Sequence, residues 1–350
     1  EEHGGEEESE NTDGFIANSD TDTDVVNVGV SYHLGEEGFA GFAVSRLDSN
    51  YGIPPGAHGH EHGEEEHAGE GHDGDDHDED QHEEHGEEEE EELIRLDVEQ
   101  TRYDAMVHLH DPMPGIDIMR TFLTYTDYNH KELEGAETGT SYDRDTWEGR
   151  LELVHGALFG VHGVVGLQWR SDEFVAKGEE AYIPETDSDE FGLFLIEDFH
   201  SGDWTFEAGL RGDYVKRDPE AQSTGSEDFM SFSIAASALW NFTPGWSAGL
   251  SLSSSQRAPS TEELFSNVDA DITGELVTHA ATGVIEIGDP DLDEEQSLNA
   301  DLSLVWSGER SWAELTTFYN QFNDYIFLLN SGEASDETPI YLYEQDCLLY

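Results

Sequence analysis

The chain has 350 residues, of which 82 are Asp or Glu and 14 are Lys or Arg, a formal charge of -68. So acidic a chain repels nucleic acid and draws in cations, which excludes nucleic acid as a partner. Hydrophobic residues make up 35% and no apolar run reaches 18 residues, so a membrane helix is excluded; barrel strands of about 9–11 residues, apolar on one face only, are not.

The first residues, "EEHGGEEESE", have neither a basic n-region nor an apolar h-region, as expected of a processed chain or of a piece of a longer one. "VVNVGVSYHL" follows, with Val26, Val28, Val30, Tyr32 and Leu34 on one face and Asn27, Gly29, Ser31 and His33 on the other. Period-two alternation of this kind marks a strand with one apolar and one wet face. It recurs in "WTFEAGLRGDY" from Trp204, "MSFSIAASALWNF" from Met230 and "LNADLSLVW" from Leu298.

Tight-turn sequences fall at 33–38, 110–115, 155–160, 200–203, 243–245 and 307–310. Long polar connections lie between them, at roughly 50–92, 129–146, 171–189, 215–228, 254–296 and 330–338. A meander with tight turns at one end and long loops at the other is the organisation of an outer-membrane barrel, with the short turns periplasmic. The expected fold is therefore all-β, an antiparallel transmembrane β-barrel surrounded by outer-membrane lipid. Trp204, Trp240, Trp246, Trp306 and Trp312 sit near strand ends, as an interfacial girdle requires. About thirteen strands are expected, an odd and open count whose two edges need further strands as partners. The lone Cys347 excludes an intrachain disulfide and a thiolate zinc cage.

The connection at 54–92 is distinctive. It carries His58, His60, His62, His67, His72, His77, His82 and His85 among Asp and Glu, with no Lys or Arg. So polar a segment cannot bury enough apolar surface to offset its ordering entropy and is expected to be a disordered external loop. Neutral imidazoles with carboxylates suit zinc, copper, nickel or iron. Interchangeable ligands favour moderate affinity and fast exchange, which suits a collector. A calcium loop starting at Asp73 fails because Asp78 stands where the sharp turn needs glycine. His130 and His279, and with them Glu262, Glu263, Asp289 and Asp291, fall on the same side as the tract. His108, His110, His155, His162 and His200 fall at the short-turn end and are expected to line or cap the periplasmic rim.

"SRLDSNYGIP", "YTDYNHKELEG", "GEEAYIPETDSDEFGLFLIEDF", "SQRAPSTEELFSN" and "HAATGVIEIGDPDLDEEQS" together resemble the barrel of TonB-dependent outer-membrane receptors, most of all the zinc-uptake receptors of the ZnuD type. That resemblance runs from about Val25 to Tyr343. It implies part of a 22-stranded barrel, a plug and closing strands outside these residues, zinc as the transported ion and the TonB complex as the energy-supplying partner. It also implies a defined metal site over the plug, for which His130 and His279 are the candidate ligands and Glu262, Glu263, Asp289 and Asp291 weaker ones.

Two other functions compete. Haem receptors carry an arginine-alanine-proline motif, a histidine and an Asn-Pro-Asn-Leu element; here "QRAPS", His279 and "GDPDL" stand in their places. Gln256, Asp289 and Asp291 depart from that pattern, and an acidic surface repels haem propionates. An extracellular metal buffer is the third reading. No nucleophile elbow, phosphate loop or zinc-protease motif occurs, so an enzyme is not expected.

Overall fold

In the computed structural model the described residues are 16, 18–54, 93–135, 137–158, 160–178, 180–279, 282–336 and 338–349. The eight tract histidines, His58 to His85, lie outside the described residues. In chain order the strands are β1 Thr21–His33, β2 Gly38–Gly52, β3 Ile94–Met113, β4 Ile116–Glu134, β5 Glu137–Leu158, β6 Val161–Gly178 and β7 Thr186–Ser201. There follow β8 Trp204–Pro219, β9 Glu227–Thr243, β10 Trp246–Arg257, β11 Ile285–Ile287, β12 Glu295–Ser307, β13 Trp312–Ser335 and β14 Thr338–Leu349. Two short helices, α1 Thr261–Phe265 and α2 Ala270–Thr273, stand between β10 and β11.

One sheet runs β1 to β10 in sequence, then β12, β13, β14 and finally β11. Its long strands all pair antiparallel with their chain neighbours; only the three-residue β11 is parallel, against β14. Apart from β11 this is the meander of about thirteen strands that the alternation predicts. The tight turns are where expected: at the turn between β9 and β10, Gly245 has φ +76, a left-handed conformation that glycine adopts without steric cost.

The other end differs from expectation. Residues 129–134 and 137–146 are strand, not loop, and so are 330–335. β4 with β5, and β13 with β14, therefore project as long hairpins. Polar strand with wet residues on both faces resembles loop in sequence, because the period-two signal fades once neither face is in lipid.

The register shows which face is which. Tyr103, Tyr125 and Trp147 lie directly opposite one another on β3, β4 and β5, and Trp169, Phe191, Tyr214 and Met230 do so on β6 to β9. At the short-turn end Trp204 stacks on Trp240 with centroids 5.1 Å apart, and Trp246 faces Trp306 at 6.4 Å. Between the two belts the outward residues are apolar and exposed, including Leu193, Leu195, Leu210 and Ile234. Trp204 through Tyr214 is an eleven-residue step along β8, matching the roughly 9–11 residues that cross a bilayer. Past the upper belt the same face turns acidic, with Asp127, Asp145 and Asp187.

The opposite, inner face carries charged and polar side chains, with apolar ones such as Phe194 and Ile196 among them. On it Arg102 pairs with Asp104, Arg150 with Glu152, Arg170 with Asp172 and Arg211 with Asp213, at 2.6–3.1 Å. Each partner lies two residues along the same strand, which the pleat brings to the same side. This part of the inner wall thus neutralises its cations locally.

Candidate functional site

The compact core sits in the outer mouth, around α1, not between the belts. Ser260 caps α1: its hydroxyl accepts from the Glu263 amide (3.2 Å) while the Glu263 carboxylate accepts from the Ser260 amide (2.6 Å). Arg257, at the end of β10, grips the same carboxylate at 2.8 Å and Glu295 at 3.2 Å. So held, Leu264 and Phe265 are wholly buried, packed with Val215, Phe229, Leu292 and Ile326. The backbone of Gly288 and Asp289 donates to Ser266 (2.8 Å) and Glu263 (2.9 Å). "RAPSTEELF" and "GDPDL", which carry much of the family resemblance, are therefore two halves of one clasp.

A Cβ at Gly288 would lie 2.6 Å from the Leu264 carbonyl carbon. Gly288→Ala should therefore cost about 1–3 kcal/mol and open the clasp. Limited proteolysis of 258–294 reads this directly, and an unchanged cleavage rate would contradict the close approach.

Beside the clasp is a cavity of about 510 Å³ whose lining includes His130, Glu132, Tyr142, Tyr182, Glu262, His279, Glu286 and Tyr343. His130 lies five residues beyond Tyr125 of the upper belt, so the cavity stands above the bilayer. It is built from β4, β5, the β6–β7 connection, α1, the segment before β11 and β14. Asn267 ties these together: its side-chain amide donates to the Val277 and Glu286 carbonyls (2.9 Å each), and its backbone N–H donates to the Tyr182 carbonyl (2.7 Å).

His279 and Glu286 meet at 2.9 Å through Nδ1 and Oε1. Burial alone would raise the Glu286 carboxyl, but hydrogen bonds from His279, Tyr343 (3.1 Å) and Thr282 (3.1 Å) outweigh it and hold the group below the usual carboxylate range. An ionised carboxylate can only accept, so His279 Nδ1 carries the proton. When the ring is neutral its Nε2 then keeps a lone pair, the arrangement that orients imidazole ligands in metal sites. Tyr182 lies against the ring, tilted by 31° with centroids 4.6 Å apart. Burial pushes the Tyr182 and Tyr343 phenols up, so both remain neutral.

His130 is the second imidazole. Its ring lies on Tyr142 at 4.4 Å, its Nδ1 is buried without a hydrogen-bond partner, and burial lowers its pKa. An orphaned nitrogen on a neutral ring is a donor set that fits a divalent cation. Among the described residues no three His, Cys, Asp or Glu side chains stand at ligating geometry together, so binding here requires side-chain rotation.

His130 and His279, 149 positions apart in sequence, are thus brought to one cavity, with Glu262. Glu263 is spent on the helix cap and Arg257. Asp289 accepts from the Asp291 amide (2.9 Å) in a turn outside this cavity. Glu286 and Glu132 were not anticipated, and only Glu286 left a trace, as a charged residue between Ile285 and Ile287. At the other end His108, His110, His162 and His200 share the inner face, as expected. His155 does not: it points outward beside Leu153 and meets Glu197 at 3.0 Å, because side chains alternate faces along β5.

A family profile described as TonB dependent receptor-like, beta-barrel, matches residues 9–345. The chain belongs to that family. TonB-dependent receptors are outer-membrane transporters, not enzymes. Over 235 residues, 66% of this chain and 32% of the relative, it is 31% identical to the iron-regulated outer membrane virulence protein of Vibrio cholerae serotype O1. Among solved structures the copper transporter OprC superposes with a TM-score of 0.69 at 11% identity, covering 95% of this chain and 49% of OprC. The hemophore receptor HasR of Serratia marcescens, solved with its hemophore HasA and heme, gives 0.65 at 12%, covering 94% and 50%. Such low identities show a shared receptor barrel and nothing finer. The chain spans about a third of the length of the Vibrio relative and about half that of the two structures.

Proposed function

We propose that this TonB-dependent receptor chain captures a divalent metal ion, zinc first, from outside and hands it inward with TonB-derived energy. The observation that carries the reading is the cavity where His279, with its tautomer set by Glu286, and His130, with an orphaned ring nitrogen, share a lining with Glu262 and Glu132. Zinc as the first choice follows the ZnuD-type resemblance. Copper(II) binds nitrogen and oxygen ligands more tightly than zinc, so selectivity against it rests on availability or on parts of the receptor outside this chain. The histidine tract joins β2 to β3 at the same end as the cavity, and its carboxylates raise the local cation concentration. It acts as the collector, and the cavity as the defined site.

The test is calorimetry on the full-length receptor in detergent with zinc, copper, nickel and haem, against a variant lacking residues 58–92. Several weak zinc sites should vanish with the deletion while one tighter site remains. Tight haem binding, with all zinc binding lost on deletion, would instead establish a haem receptor with an accessory metal-binding loop.

Protonation separates the two classes of site. Imidazole ligates only when neutral, so zinc held by the tract should weaken as pH falls through about 6.5. His130 has a lowered pKa and remains neutral below that value, so the cavity should retain zinc at a pH where the tract has released it. Zinc titrations at pH 7.5, 6.5 and 5.5 check this, and simultaneous loss of both classes would contradict it.

A further inference from the structure

The inner face carries a second group of metal-ligating side chains, at the short-turn end of β6, β7 and β8. His162, Asp198 and Glu207 are successive partners across the three strands, and all three line one cavity of about 450 Å³. His200 lies two residues beyond Asp198 on the same face. The Asp198 carboxylate is 3.0 Å from His200 Nδ1 and 3.9 Å from His162 Nδ1. The outward face at this level is occupied by Phe199, Phe206 and Trp204, ring upon ring, so the histidines are on the lumen side of the aromatic belt.

What sets this group apart is its charge. Higher on the inner wall Asp104, Glu152, Asp172 and Asp213 are each matched to an arginine. Among the described residues neither Asp198 nor Glu207 has an ion pair with Lys or Arg. Arg120, which borders the same cavity, is paired with Glu152 at 3.2 Å. Two uncompensated carboxylates thus face two imidazoles at a water-accessible rim. Neutral nitrogen and carboxylate oxygen donors in that number suit a four-coordinate divalent cation.

We infer that His162, Asp198, His200 and Glu207 form a second, weaker divalent-cation site at the exit end of the lumen. The inference rests on the metal-receptor reading above and extends it: the ion captured in the outer mouth meets one more set of ligands before leaving the barrel. The histidine side chains are more than half exposed and are not gathered on one point. Binding therefore draws two mobile rings together, which favours low affinity and rapid release, as an exit station needs.

The experiment uses the full-length receptor in detergent, lacking residues 58–92 and carrying His130→Ala and His279→Ala, so that the outer ligands are absent. Zinc calorimetry should still detect one weak site. Adding His162→Ala with His200→Ala should weaken it at least tenfold or abolish it, and Asp198→Asn, which preserves side-chain size, should do the same. Cobalt(II) should give visible absorption bands of a nitrogen and oxygen site that disappear in the same variants. A receptor with no residual zinc site, or one indifferent to these substitutions, overturns the inference while outer-mouth binding in the parent still upholds the receptor reading. A parent that binds no zinc, copper or nickel overturns the receptor reading itself.

Discussion

Replacing both His130 and His279 by alanine in the full-length receptor should weaken the tighter zinc site on the order of 100-fold, about 2.8 kcal/mol, while the weak sites of the histidine tract persist. The expectation follows from the two rings being the cavity's nitrogen donors: one nitrogen is left without a partner by burial, the other is freed by the proton on its far side. Neither substitution touches the clasp around α1, so the barrel and the mouth should remain folded. Zinc calorimetry with circular dichroism as the folding control decides the matter. A double variant that binds zinc as tightly as the parent would move the site away from this cavity altogether.

Phe265→Ala should have the largest effect on stability, a loss of about 3–5 kcal/mol confined to the outer mouth. Phe265 has no exposed surface and packs with Leu264, Leu292 and Ile326, while the strands between the belts depend on lipid and on their ladders. Hydrogen exchange should therefore show protection lost across 258–294 and at the ends of β8, β9 and β13, with the belt-to-belt segments unchanged. Because the same clasp carries the segment with His279 and Glu286, zinc should weaken in parallel. Uniform loss of protection over the whole sheet would contradict a separate core in the mouth.

The membrane-crossing strands were legible in sequence because lipid on one side and water on the other imposes an unbroken alternation, as from Trp204 to Tyr214. Above the belt that constraint ends, and so does the signal: β4, β5 and β13 continue through residues that look like loop, including His130 and Tyr142. The histidine pair was legible by chemistry and by which end of the meander each residue occupies. Their partners were not. Glu286 reaches His279 through the bridge between His279 and Val284, while Tyr182 arrives from the β6–β7 connection and Tyr343 from β14, contacts that no local pattern encodes. The inward or outward sense of His155 was equally hidden, since counting from a turn leaves the parity of a strand undetermined by one residue.

The aromatic belts also divide the labour of change within this protein. All the cavity residues stand on segments above the upper belt, whereas the residues that hold the sheet in its membrane lie below it. Substitutions that retune the ligand set are thereby uncoupled from those that maintain insertion, and a mouth grafted onto another trunk of the same register would carry its preference with it. Diversity of cargo among barrels of one shape is then what such a construction permits.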